Sequence, residues 1–201
     1  MSPESTRERI LDGFAEQLLE VGYRGISLQA ITDAVGIKRP SMYHHFPGGK
    51  EEIYAEVAQR MIDADAALVA AALSDHEKLE DRLAALALIH TDDPRKAAFD
   101  QRLFDATRYV SDETRTVVST NYVNGLLAPV RSMMADAISA GELREEDPGL
   151  LMEAFFGMAS AVPALPDDVG MPPDKRGGQR PAKTEMAARV VALFLEGAAK
   201  K

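Results

Sequence analysis

Residues 27–50, SLQAITDAVGIKRPSMYHHFPGGK, constrain this chain more than any other stretch. Ser27 is a good helix N-cap, and Leu28, Ile31, Ala34 and Val35 follow at helical spacing on one face. Gly36 tolerates positive φ just past a helix end, and Ile37 returns to the core. A second short helix follows, with Pro40 accepted in its first turn, where N–H groups have no intrahelical partner. Met42, Tyr43 and Phe46 give that helix an anchoring side and leave Lys38, Arg39, Ser41 and His44 on or near its outer side. Helix, glycine turn, then a short helix with a cationic outer face is the helix-turn-helix arrangement. A generic helical hairpin shares the spacing, but has no need of Lys-Arg at one end of the second helix and Tyr-His-His-Phe at the other.

A DNA-binding reading must survive a net charge of −9. Residues 1–50 carry Arg7, Arg9, Arg24, Lys38, Arg39 and Lys50 against Glu4, Glu8, Asp12, Glu16, Glu20 and Asp33, so the whole excess lies beyond residue 50. Within 24–50 the only acid is Asp33. Phosphate affinity follows the cations near the backbone rather than the total charge, so a locally basic head before an acidic body is compatible with DNA.

Of the 201 residues 46% are hydrophobic and 27% charged, ordinary for a globular protein with one sizeable core or a small domain joined to a larger one. Abundant Ala, Leu and Glu with few aromatics favour helix over sheet. The absence of cysteine removes disulfides, thiolate metal sites and cysteine nucleophiles, and fits a cytoplasmic protein. The N-terminus has no apolar run, and the apolar stretch Ala154–Pro166 is too short to span a bilayer, so no membrane partner is expected.

Ser2-Pro3 predicts a first helix over about 3–21, with Ile10, Leu11, Phe14, Leu18 and Leu19 inward and Gly22 as its end. The next two helices fall at about 28–35 and 39–46. After Pro47-Gly48-Gly49 a long helix runs to about Leu73 on a stripe of Ile53, Tyr54, Val57, Met61, Ala64, Leu68 and Ala72. Ser74 and Glu77 read as a capping box opening a fifth, and Asp93-Pro94 opens a sixth. Ser111 caps a seventh that ends near Gly141, with a bend at Pro129, and Asp147-Pro148 starts an eighth. Residues 166–182 read as a flexible loop, and Thr184 opens a ninth helix. The expected fold is all-α with nine helices and no strand.

The head resembles the TetR-type bacterial transcriptional repressors. The resemblance is carried by Ser27-Leu28, Ile31, Ala34, Val35-Gly36-Ile37, Met42 through Pro47 and Lys50-Glu51, and covers roughly residues 5–57. It implies a three-helix DNA-binding head at 1–49 and a helical effector-binding and dimerisation domain at 50–201. Lys38 stands where many relatives carry Ser or Thr, which removes a helix cap worth about 1 kcal/mol. Thr32 stands where a small residue such as Ala is common.

Residue chemistry assigns the DNA contacts. Lys38 and Arg39 can donate to guanine or phosphate, Ser41 and His44 can reach base edges, and the Tyr43 hydroxyl and Lys50 ammonium suit phosphates. Ser27 offers its hydroxyl and helix N-terminal amides to an anion, and Pro40 belongs to the same recognition segment. Under the resemblance, an unknown small-molecule effector would meet His90, Phe99, Phe104, Arg108, Asn121, Tyr122 and Met133. A homodimer would use Leu151, Phe155, Met158 and Val162 on the eighth helix and Met186, Val190, Leu193 and Phe194 on the ninth. Nucleophile elbow, phosphate loop and dinucleotide fingerprint are all absent, and His44 and His45 point apart on their helix. No enzyme, cofactor or metal is therefore expected. The reading is a repressor that binds a pseudopalindromic operator as a homodimer and is released by its effector. The alternative is a helical interaction protein that keeps the head without operator specificity.

Overall fold

The computed structural model describes residues 5–89, 94–162 and 181–198, without side-chain detail at 94–97. Its helices are α1 Thr6–Gly25, α2 Leu28–Val35, α3 Arg39–His45, α4 Gly49–Ser74, α5 Leu79–Leu88, α6 Pro94–Ala106, α7 Asp112–Tyr122, α8 Ala128–Ser139, α9 Pro148–Ala159 and α10 Lys183–Ala198. A π-helical stretch, Val123–Leu127, joins α7 to α8 without a break in the helix, so the described residues form nine helical rods and no strand. The fold is the all-α one expected.

By packing, the chain divides into two compact units. The first comprises 1–65 and 94–125, the second 66–93 and 126–201, so α4 contributes to both. The expected division at residue 49 is one of roles. The packing units run differently, because α6 packs against α1.

In the first unit Ile10, Leu11, Phe14, Leu18, Ile31, Met42, Phe46, Ile53 and Tyr54 are excluded from solvent. Burying each such side chain contributes on the order of 2 kcal/mol, which is what holds helices as short as α2 and α3. The helix α1 starts later than expected. Ser5, not Ser2, is its N-cap, its hydroxyl accepting from the Glu8 amide at 3.2 Å. At the far end Gly22, at φ 67° and ψ 168°, kinks the chain rather than ending the helix, and helical turns resume to Gly25. Gly13, costly in a helix interior, lies where a Cβ would meet Ile31 Cγ2 at 3.5 Å, so it marks the close approach of α1 to α2.

Burial on α4 runs through Ile53, Tyr54, Val57, Ala58, Ile62, Asp65, Val69 and Ala72. Ile62, Asp65 and Val69 stand one residue beyond the expected Met61, Ala64 and Leu68, so Leu68 is exposed, while Ala72 is buried as expected. A straight helix with 3.6 residues per turn drifts from any whole-number spacing, and only the neighbours decide which of two adjacent rows is covered. The capping box at Ser74 does not form. Ser74 ends α4, its hydroxyl bonding Ala71 O and Asp75, and α5 opens at Lys78 with no side-chain cap. Ser111 and Asp147 do cap α7 and α9, accepting from the Thr114 and Leu150 amides. Pro129 sits in the first turn of α8, just after the π-helical stretch that interrupts the α pattern.

The second unit has one core, in which Leu83 and Leu86 of α5, Val130 and Met134 of α8, Leu151 and Phe155 of α9 and Val191 and Phe194 of α10 meet. Phe155 and Phe194 pack edge to face, 5.4 Å between centroids. The loop expected at 166–182 lies almost wholly outside the described residues.

Candidate nucleic-acid interface

The turn between α2 and α3 is fixed from several directions. The Ser27 hydroxyl caps α2 by accepting from the Ala30 amide at 3.2 Å, and the Gln17 side chain accepts from the Ser27 amide at 2.8 Å. At the other end Gly36 adopts the left-handed conformation, φ 76° and ψ 32°, and the Ile37 amide returns to Thr32 O at 3.0 Å. Arg9 donates to Val35 O at 2.9 Å, which satisfies a carbonyl at the end of α2. Thr32 is fully buried, and its hydroxyl donates to Gln29 O at 2.9 Å, so a polar side chain costs little there.

Met42 and Phe46 are fully buried, and the Arg7 guanidinium lies 4.6 Å from the Phe46 ring centroid while pairing with Glu56. Tyr43, expected among the anchors, is instead 40% exposed, because the residue after Met42 turns about 100° away from the core. Lys38, Arg39, Pro40, Ser41 and His44 are exposed with it, and the Arg39 guanidinium sits 5.9 Å from the Tyr43 ring. Lys38 stands at the N-cap, where its ammonium, a donor only, cannot cap the α3 amides. His45 is half-buried beside His44. The structure therefore brings Lys38, Arg39, Pro40, Ser41, Tyr43 and His44 together on the exposed side of one helix, with Ser27 exposed at the start of the preceding one.

Lys50 is placed differently from the free phosphate contact its type suggested. Its ammonium donates to Ile26 O at 3.1 Å and lies 4.7 Å from the Tyr23 ring, half-buried, and this desolvation lowers its pKa. It links the first turn of α4 to the chain entering α2, and two of its three N–H donors remain for an anion. Glu51 beside it accepts from the Ser111 amide at 2.9 Å and from the Ser111 hydroxyl, which lowers its pKa. Gln17, Arg9 and Tyr23 complete this frame, and the contacts they make are not signalled by the sequence. Each acts on a residue ten or more positions away, and no local pattern signals that.

The effector candidates are placed variously within their own units. Asn121 is committed to Gln59, Phe104 is 64% exposed, Tyr122 is exposed, and Met133 belongs to the core of the other unit. Phe99 is half-buried, Arg108 is exposed, and His90 lies outside the described residues. An open cleft of about 310 Å³ lies elsewhere, in the second unit, where Leu68, Ala72, Leu88 and Ile89 form apolar walls and Asp75 and His76 supply polar groups.

The dimer stripes are also corrected. Leu151, Phe155, Val162, Val190 and Phe194 are core residues of the second unit, and Met158 and Met186 pack partly against that core. Only Leu193, 60% exposed, faces out as expected. The exposed side of α9 instead carries Leu150, Glu153, Ala154 and Gly157, with Ala161 just past its end. Among the described residues no group of three potential metal ligands occurs, and no helix is long and apolar enough to cross a membrane.

Residues 10–57 match the profile of bacterial regulatory proteins of the tetR family. Over those residues the chain is similar to the TetR-family head. The HTH-type transcriptional regulator LmrA of Bacillus subtilis (strain 168) is 38% identical over 61 residues, covering 30% of this chain and 32% of that protein. The HTH-type transcriptional repressor AcnR of Corynebacterium efficiens is 32% identical over 78 residues, 39% of each chain. The chain thus matches little more than a third of these relatives' length. Over the whole fold, the structure of a bacterial regulatory protein in the TetR family from Rhodococcus RHA1 superposes with a TM-score of 0.73 at 17% identity, covering 99% of this chain and 100% of that one. The structure of superantigen PfiT gives 0.75 at 21%, covering 96% and 97%. The TetR-type all-helical fold therefore extends over the whole chain, and a fold shared this widely leaves function to the sites.

Proposed function

We propose that this chain is a DNA-binding transcriptional regulator, a repressor that grips a pseudopalindromic operator as a homodimer and leaves it when a small molecule binds. The observation that carries the reading is α3. Met42 and Phe46 on its inner side are fully buried, while Lys38, Arg39, Ser41, Tyr43 and His44 stand exposed together. A helix of this kind can enter a major groove, with cations and hydroxyls reaching base edges and phosphates. Ser27 and Lys50 would then hold the backbone on either side. The AcnR proteins to which the chain is similar are transcriptional repressors.

One head meets one half-site, so the reading requires two copies with recognition helices about 34–36 Å apart or a multiple of that. The exposed small-residue side of α9 and Leu193 of α10 offer a surface on which two copies could pack closely. The effector would occupy the apolar cleft at Leu68 and Leu88, where a mostly apolar lining with few polar groups suits a small molecule.

Fluorescence anisotropy against the DNA upstream of the chain's own gene, at stated salt, tests the reading. Saturable binding by a dimer, weakened as salt rises, is expected. Equal affinity for every duplex would leave the helical interaction protein as the better description.

A further inference from the structure

A second cationic feature lies in the first unit, away from α3. The end of α1 and the end of α6 enclose a cleft of about 260 Å³ that holds Arg24, Arg102 and Arg108. Among the described residues none of these three guanidiniums pairs with a carboxylate. The one acid on the wall, Asp105, accepts from Gln101 at 3.2 Å. With Asp105 counted the cleft still carries an excess of cations, unusual in a chain of net charge −9 where acidic side chains are plentiful enough to neutralise them.

The walls are specific too. Tyr23 and Tyr109 stack nearly parallel, 5° between planes and 6.5 Å between centroids, and Arg24 lies 5.7 Å from the Tyr109 ring. Arg102 passes so close to the kink in α1 that a Cβ on Gly22 would come within 3.3 Å of its Nη1. Gly22, at φ 67°, thus provides both the bend and the room for the guanidinium.

We propose that this cleft binds a small organic anion, a carboxylate or phosphate carried on a flat apolar body. The guanidinium forks would take the oxyanion in bidentate fashion, and the tyrosine rings would cover the flat part. The concave shape and small volume favour a free molecule over the convex backbone of a duplex. Tyr23 also faces the Lys50 ammonium, so an occupant would touch a residue of the head's own frame.

Isothermal titration of the full chain with phenyl phosphate, without DNA, tests the site independently of the operator reading. The wild type should bind, and inorganic phosphate should bind about tenfold more weakly because it lacks the stacked portion. An Arg102→Gln, Arg108→Gln double variant with an unchanged circular dichroism spectrum should lose about tenfold or more in phenyl phosphate affinity. The Arg102→Lys, Arg108→Lys pair keeps the charge without the fork and should fall between the two. If the double variant fails to fold, tyrosine ring NMR shifts in the wild type decide: movement of Tyr23 and Tyr109 supports the site. Binding unchanged in the Gln variant, no binding by the wild type, or a loss confined to duplex DNA of any sequence would each overturn it.

Discussion

The helices α3 and α9 each bury one side in their own unit, and they differ in what they leave outside. The shorter, α3, exposes Lys38, Arg39, Ser41, Tyr43 and His44, groups that pair with phosphates and base edges. The longer, α9, exposes Leu150, Ala154 and Gly157 with a single acid, Glu153, among them, a face with no cation whose two small residues suit another helix at close range. The inner sides of the two helices are interchangeable in character. Partner choice resides in the residues that the core does not claim.

The largest test of that contrast removes an anchor. Met42→Ala should cost about 2–5 kcal/mol because Met42 is fully buried, and chemical denaturation measures it. The loss should abolish DNA binding while every exposed cation remains. Retained stability would mean that α3 is not held from beneath.

The α9 surface can be challenged without touching its core. A Cβ at Gly157 meets nothing within 4 Å, so Gly157→Glu should leave the monomer's fold intact. It should also weaken self-association by about 2 kcal/mol or more, read as monomer by light scattering at micromolar concentration. A dimer of unchanged strength would separate α9 from the interface.

Two substitutions divide the DNA-facing groups. Arg39→Ala should cost about 1–3 kcal/mol and relax preference at particular base pairs, whereas Lys50→Ala should weaken all sequences alike. Anisotropy with operator and scrambled duplexes distinguishes them.

Tyr54 tests the inner side by pH. Its hydroxyl donates to Leu103 O at 3.0 Å, and burial pushes its pKa up to about 12. The folded state favours the neutral phenol, so the stability it contributes is present below its ordinary pKa of about 10 and is lost as pH rises towards 12. Tyr54→Phe should cost about 1 kcal/mol at neutral pH and flatten that alkaline decline in denaturation midpoints. The smallest effect is Gly13→Ala. With 3.5 Å to Ile31 Cγ2 the new methyl fits, and the helix should gain up to about 1 kcal/mol. A loss instead would show that α1 and α2 cannot yield at all.

The head and the starts of α7 and α9 are legible because their signals are local. Ser27, Gly36, Ser111 and Asp147 each act within a few residues of themselves, and caps and turns are written at that range. At Ser74 the same rule fails because that residue is the last of α4, its hydroxyl turned back to Ala71 O, and α5 starts only at Leu79. The error on α9 and α10 was of another kind. Leu151, Phe155, Val190 and Phe194 do form stripes, but a stripe announces burial without saying whether the chain's own core or a second copy provides it.

The sequence by itself determined the helical class, the glycine turn at Gly36 and the cationic character of α3, since each follows from backbone preference and periodicity over a few residues. Tertiary structure alone decided that the Lys50 ammonium rests on Ile26 O and the Tyr23 ring, which stripe on α4 is covered, and that Arg24, Arg102 and Arg108 share a cleft. Those outcomes join residues distant along the chain, and closing such loops is settled by the packing of whole helices rather than by any local preference.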